Sequence, residues 1–237
     1  MQSFDKILQS QGFGTRKHCQ RLIRSGEVYI GEVAQTNDRL LVDENGLTFS
    51  LFGQTWLYRK YLHIALHKPM SVECSRKPSH HKGVMSLLPD PFQLRGVQAV
   101  GRLDHDTTGL LLLTDDGAWN HAMSSPKRHV PKIYLATTKE AVTQSLVDQL
   151  LAGVQLHDEP LPISALHCEQ IESHQLRIVL EQGKYHQVKR MLASVGNECV
   201  ALHREKIGQL SLAELDLEQG EWCYLSDAEL QKLGAGA

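Results

Sequence analysis

An unbroken apolar run, Leu110 to Leu113, stands between Gly109 and the polar close Thr114-Asp115-Asp116-Gly117. Four such residues between turn signals predict a buried strand, because a helix would need about ten or more. Asp-Gly after the run is a turn signal. Upstream, Phe4, Ile7 and Leu8 fall on one helical face that Gly12 ends. Thr15 reads as the N-cap of a second helix, with Leu22 and Ile23 turned inward and Gly26 as its stop. Val28-Tyr29-Ile30 followed by Gly31 reads as strand and turn. Residues 43–60 alternate weakly around Gly46 and Gly53, giving strand, turn, strand and a linker near Leu57–Tyr61.

The pattern then restarts. His63-Ile64-Ala65-Leu66-His67-Lys68 predicts a strand halted by Pro69, which cannot donate to a central ladder. The stretch Ser75 to Gly83 is polar and basic (Arg76, Lys77, Lys82) and predicts a mobile surface loop. Trp119 to Met123 predicts a short helix, and Lys132-Ile133-Tyr134 the start of a strand. From Lys139 to Leu151, Val142, Leu146, Val147, Leu150 and Leu151 form a helical stripe that Gly153 ends. Short strands follow around Gln175–Leu180. Val188, Met191, Leu192 and Val195 share a further helical face, closed by Gly196. The expectation is an α+β chain of two domains, residues 1–60 and 61–237, the second built on a mixed, mainly antiparallel sheet.

Composition narrows the functional classes. The 237 residues carry 25 Lys and Arg against 27 Asp and Glu, a net charge of −2. A basic chain is the usual footprint of nucleic-acid binding, so the sum argues mildly against it. The distribution argues the other way. Arg16, Lys17, Arg21 and Arg24 cluster on the second helix, and Lys184, Lys189 and Arg190 on a later one. Each cluster offers phosphate contacts, although a solvated helix surface is the plainer reading of charge alone. The five cysteines are scattered, without a Cys-x-x-Cys pair. Reduced thiols in a cytoplasmic protein follow, and neither a disulfide frame nor a metal site is expected. No signal peptide or membrane span is visible. No Gly-rich cofactor or phosphate loop is present either.

Asp104 is the candidate reactive group. It lies in Gly101-Arg-Leu-Asp104, just ahead of the buried run, where a rigid scaffold presents a side chain on a loop. By spacing alone such an aspartate is more often a turn or cap residue. The wording Gly-Arg-Leu-Asp-x-x-Thr-Thr-Gly-Leu-Leu-Leu-Leu-Thr-x-Asp-Gly resembles the nucleophile motif of the RsuA-type pseudouridine synthases. That resemblance implies a catalytic Asp104 with Arg102 as a cationic neighbour. It also implies that Tyr134 of Lys-x-Tyr stacks on a flipped base and is a candidate for handling the C5 proton. The stretch Gly183-Lys184-Tyr185-His186-Gln187-Val188-Lys189-Arg190 resembles the family's late motif. There Lys189 would pair with Asp104, and Lys184, His186, Gln187 and Arg190 would touch substrate. Residues 1–45 resemble an S4 RNA-binding domain, with Ile30-Gly31 where the family commonly has Asn-Gly. His67 likewise stands where Asn is common before Lys-Pro.

The resemblance spans the chain. It implies a cofactor-free enzyme that isomerises a uridine of small-subunit ribosomal RNA, as naked RNA or in a partly assembled subunit, acting as a monomer. Gly153–Glu159 and Leu202–Gly208 favour the small-subunit branch over its large-subunit relatives. Two other classes stay open on the sequence. One is a metal-dependent phosphoesterase using Asp104, Asp106, Asp115 and Asp116, since clustered carboxylates bind divalent ions. The other is a non-catalytic RNA-binding or ribosome-assembly protein.

Overall fold

A computed structural model describes residues 1–75, 77–125 and 128–234. Of the basic loops read from the sequence, Arg76, Pro126 and Lys127 therefore lie outside the described residues. The chain forms two units: Met1–Leu62 with Leu88–Gln98, and His63–Leu87 with Ala99 onward.

In the first unit, helices Phe4–Ser10 and Arg16–Arg24 pack on an antiparallel sheet. Its strand order is Val33–Gln35, Val28–Ile30, Thr48–Leu51, Gln54–Leu57. Phe4, Ile7, Leu8, Cys19, Ile23, Phe49 and Leu51 are buried at its core. Phe13 meets Phe49 and Trp56 edge-on, and Trp56 meets Phe92 of the returning segment. Thr15 caps the second helix, accepting from the His18 N–H as its residue type predicts. Asp5 is fully buried beneath that helix. It accepts hydrogen bonds from Ser3, Arg16 and Gln20. Burial alone would raise its pKa, but these donors and the Arg16 charge hold it down at about 2.

The second unit is organised on one sheet. The strands follow the order His167–Glu172, Gln175–Leu180, Lys132–Thr138, Cys199–Ile207, Thr107–Thr114, His63–Lys68, Trp222–Tyr224. Neighbours along this path run antiparallel except Thr107–Thr114 with Cys199–Ile207, which are parallel. Leu110 to Leu113 are fully buried because their strand is central and covered on both faces. Gly109 of that strand has φ +108°, and a Cβ there would sit 2.3 Å from the Arg204 carbonyl oxygen. Glycine lets the two central strands approach so closely.

Three local readings differ from the structure. The motif strand begins at Thr107, before the leucine run, because Thr107 and Thr108 pair with Leu202 and His203 across the sheet. The helix expected from Lys139 begins at Gln144, with Thr143 accepting from Leu146 N–H as its cap. The amides ahead of it bond elsewhere: Lys139 to the Glu198 carbonyl, Val142 to that of Ser173. The Asp116-Gly117 turn proves to be a helix start, with Asp116 capping Gly117–Ser124 through Ala118 and Trp119.

Candidate active site

Asp104 lies on the loop between Gly101 and the motif strand, and that loop is tied down from below. Lys68, wholly buried at the end of its own strand, directs its ammonium onto three carbonyls: Pro69 at 2.9 Å, His105 at 3.3 Å and Thr107 at 2.8 Å. Burial pulls the Lys68 pKa down, opposed by the charges of Cys74, Asp106 and Asp104. The Ser71 N–H holds the His105 carbonyl, and the Thr107 N–H returns to the Asp104 carbonyl. A buried polar group must be hydrogen-bonded to be tolerated. Here those bonds fix the backbone under Asp104.

The helix Gln187–Ser194 brings cations to this loop. Lys189 Nζ lies 3.2 Å from Asp104 and 2.6 Å from Asp106. Partial burial would lower the Lys189 pKa, but the Asp106 hydrogen bond and both carboxylate charges hold it above the ordinary ammonium value. For Asp106, burial would raise the pKa, yet Lys189 keeps it below the usual carboxylate range. His186, at φ +46° as the helix N-cap, places Nε2 3.2 Å from the other Asp104 oxygen.

A cavity of about 70 Å³ opens beside Asp104, with Tyr134, Leu180, Leu202, Gly183 and Val188 among its walls. Behind Tyr134 stands Arg204, 3% exposed. Its Nε donates to the Leu110 carbonyl at 2.7 Å and its Nη1 lies 3.5 Å from the Tyr134 hydroxyl. Its Nη2 is buried without an acceptor among the described residues. It lines a second small cavity with Tyr134, Arg102 and Lys132. The site thus combines an accessible carboxylate, an adjoining cation, an aromatic wall and an unmatched guanidinium donor. A carboxylate so placed can act as a nucleophile or as a base on a ligand seated against Tyr134.

The sequence-derived residues do not all converge. Asp104, Lys189, His186 and Tyr134 meet at the cavity. Arg102 lines it too but is exposed and forms no ion pair with Asp104; the ring of His186 holds that position instead. Lys184 and Arg190 do not project freely, because each pairs with an acid of the Leu156–Glu159 loop, Glu159 and Asp158 respectively. Gln187 is buried and braces the helix start, accepting from the Lys184 N–H. On the N-terminal helix, Arg16 and Arg24 are taken up by Asp5 and Asp38, which leaves Lys17 and Arg21 without ion pairs among the described residues. Lys68 and Arg204 have no role in the sequence reading, and Asp106 enters it only as a carboxylate of the metal-dependent alternative. Lys68 alternates with the apolar Ile64 and Leu66 of its strand, a signal for a buried charge, whereas Arg204 stands between His203 and Glu205 without one. Asp106 lies two residues from Asp104. The four clustered carboxylates split: Asp104 and Asp106 share Lys189, while Asp115 and Asp116 follow the far end of an eight-residue strand, about 26 Å long.

Residues 62–194 match the family model described as RNA pseudouridylate synthase. The chain belongs to the RNA pseudouridylate synthase family. Among its relatives, the ribosomal small subunit pseudouridine synthase A of Vibrio cholerae is 35% identical over 235 residues, covering 97% of this chain and 98% of that protein. Its Escherichia coli K12 counterpart is 37% identical over 229 residues, covering 95% and 97%. A crystal structure of a pseudouridylate synthase superposes with a TM-score of 0.68 at 31% identity, covering 98% of this chain and 100% of that one. As a pseudouridine synthase the chain is an enzyme, and its fold is the mixed, mainly antiparallel one expected of the family. No helix among the described residues is long and apolar enough to cross a membrane.

Proposed function

We propose that this pseudouridine synthase isomerises a uridine of small-subunit ribosomal RNA, with Asp104 as its nucleophile. The observation that carries the proposal is the Asp104 carboxylate, held by Lys189 at the mouth of the cavity walled by Tyr134. The near full-length similarity to small-subunit enzymes supports the choice of RNA.

In the reaction the N1–C1′ bond breaks, the freed uracil turns, and C5 bonds to C1′. C5 gives up its hydrogen as N1 gains one, so the change is an isomerisation that needs no redox or group-carrying cofactor. Asp104 attacks the ribose through its carboxylate as uracil leaves, and the returning C5 displaces it, with Lys189 holding the carboxylate in place. Tyr134 stacks on the base, a contact typically worth about 1–3 kcal/mol, and its hydroxyl is the candidate relay that takes the C5 proton as it passes on its own. The unmatched Nη2 of Arg204 offers a donor to a uracil carbonyl, which would keep the base from escaping while it turns. Flipping the uridine out costs about a few kcal/mol. Phosphate contacts offset this, made by an S4-like N-terminal unit through Lys17 and Arg21 and by Arg102 at the cavity. The enzyme acts in the cytoplasm as a monomer, on naked RNA or a partly assembled subunit.

Tritium release from RNA labelled at uridine C5 tests the reading, with small- and large-subunit RNA in parallel and excess EDTA throughout. Release from small-subunit RNA alone is the expected result. Release only from large-subunit RNA would refute the substrate assignment, and no release from either RNA would favour the phosphoesterase or non-catalytic alternatives.

A further inference from the structure

Beside the Tyr134 cavity, and sharing Arg102, Leu103, Asp104 and His186 with it, lies a larger open pocket of about 320 Å³. Its walls carry two parallel ring pairs. Tyr185 stacks on His186 with centroids 3.8 Å apart and planes 18° from parallel. In the same pocket, His81 stacks on His105 at 4.5 Å and 10°. Tyr185 is 69% exposed, so one face of its ring is open to a ligand. The loop bearing His81 is fixed rather than trailing, because the Glu73 carboxylate accepts from the backbone N–H groups of Ser79, His80 and His81. His105 is fixed through its carbonyl, held by Ser71 and Lys68. Arg102, exposed and without an ion pair among the described residues, stands at the junction of the two cavities.

We propose that this pocket is a subsite for the nucleotide adjoining the target uridine, whose base stacks on Tyr185 and His105 while its phosphate meets Arg102. The proposal rests on the function given above. A polynucleotide with one base against Tyr134 and its ribose at Asp104 must lay the next nucleotide across the pocket that shares Asp104 as a wall. Aromatic faces grip any base there, because every base has a π-face. The subsite would therefore set where on an RNA the enzyme engages, and it favours unpaired neighbours over stacked ones.

The probe is a synthetic RNA spanning the modified uridine, labelled with tritium at C5, with the neighbouring base on either side present or replaced by an abasic residue. Tyr185→Ala should raise KM about tenfold on the intact RNA while kcat is kept, and Tyr185→Phe should restore KM. On RNA abasic at the stacked side the wild type and Tyr185→Ala should become indistinguishable. His105→Ala, from the second ring pair, should repeat the pattern. An effect confined to kcat, or one that persists unchanged on both abasic RNAs, would mean that Tyr185 acts only through His186 and would overturn the subsite. Failure of the wild type to release tritium from any ribosomal RNA would overturn the functional reading itself.

Discussion

Lys189 holds two carboxylates at once, and its shorter contact is with Asp106, not Asp104. The sign of the pH dependence follows from this. Asp106 is depressed and Lys189 raised, so the cluster is intact at neutral pH. It opens as the pH falls below the ordinary carboxylate range or rises above the ordinary ammonium range. Lys189→Met leaves two like charges side by side, which raises carboxyl pKa values. The acid limb of the kcat profile should move to higher pH, and kcat near pH 7 should fall by about tenfold only for each unit by which that limb passes beyond pH 7. An unmoved acid limb would show that Lys189 does not govern Asp104. Gly109 carries a different load. Gly109→Ala imposes a left-handed φ on a side chain, costing about 1–3 kcal/mol, and drives its Cβ into the Arg204 carbonyl. A Tm lowered by several degrees, read by calorimetry, is the expected outcome.

At the scale of elements, the second N-terminal helix divides its four cations between two tasks. Arg16 and Arg24 are bound to Asp5 and Asp38, and Lys17 and Arg21 stand open. Lys17→Ala with Arg21→Ala should weaken RNA binding and reduce the slope of log affinity against log salt by roughly two, with little change in stability. Asp5 should instead govern acid stability. A depressed folded pKa gives stability that is present above the unfolded value and lost as pH falls toward about 2, here about 2 kcal/mol. Asp5→Asn should remove the part of the unfolding free energy that varies between about pH 4 and 2, as read by denaturant titration across that range. The helix itself was legible because Thr15, the Leu22-Ile23 face and Gly26 are local signals. Which cations were free was not legible, since that depends on acids 11 and 14 residues away. The leucine run likewise declared its strand, but the strand's start at Thr107 needed a partner nearly a hundred residues on. Lys68 and Arg204 escaped notice because charge in a sequence reads as exposure, and only the fold supplies the carbonyls that let them be buried.

For the whole molecule, a net charge of −2 is compatible with an RNA enzyme because the charge is partitioned. Acids near the site are matched by Lys184, Lys189 and Arg190, and open cations remain at Lys17, Arg21 and Arg102. Affinity for RNA should therefore be modest and strongly salt-dependent, with the chemistry supplied by one carboxylate. The measurement that tests this most directly is tritium release by the wild type and by Asp104→Asn on the same small-subunit RNA, with binding measured alongside. Release should vanish in the variant while RNA affinity stays within about twofold, since the proposed phosphate contacts fall to Lys17, Arg21 and Arg102. Residual release from Asp104→Asn at a rate near that of the wild type would contradict it.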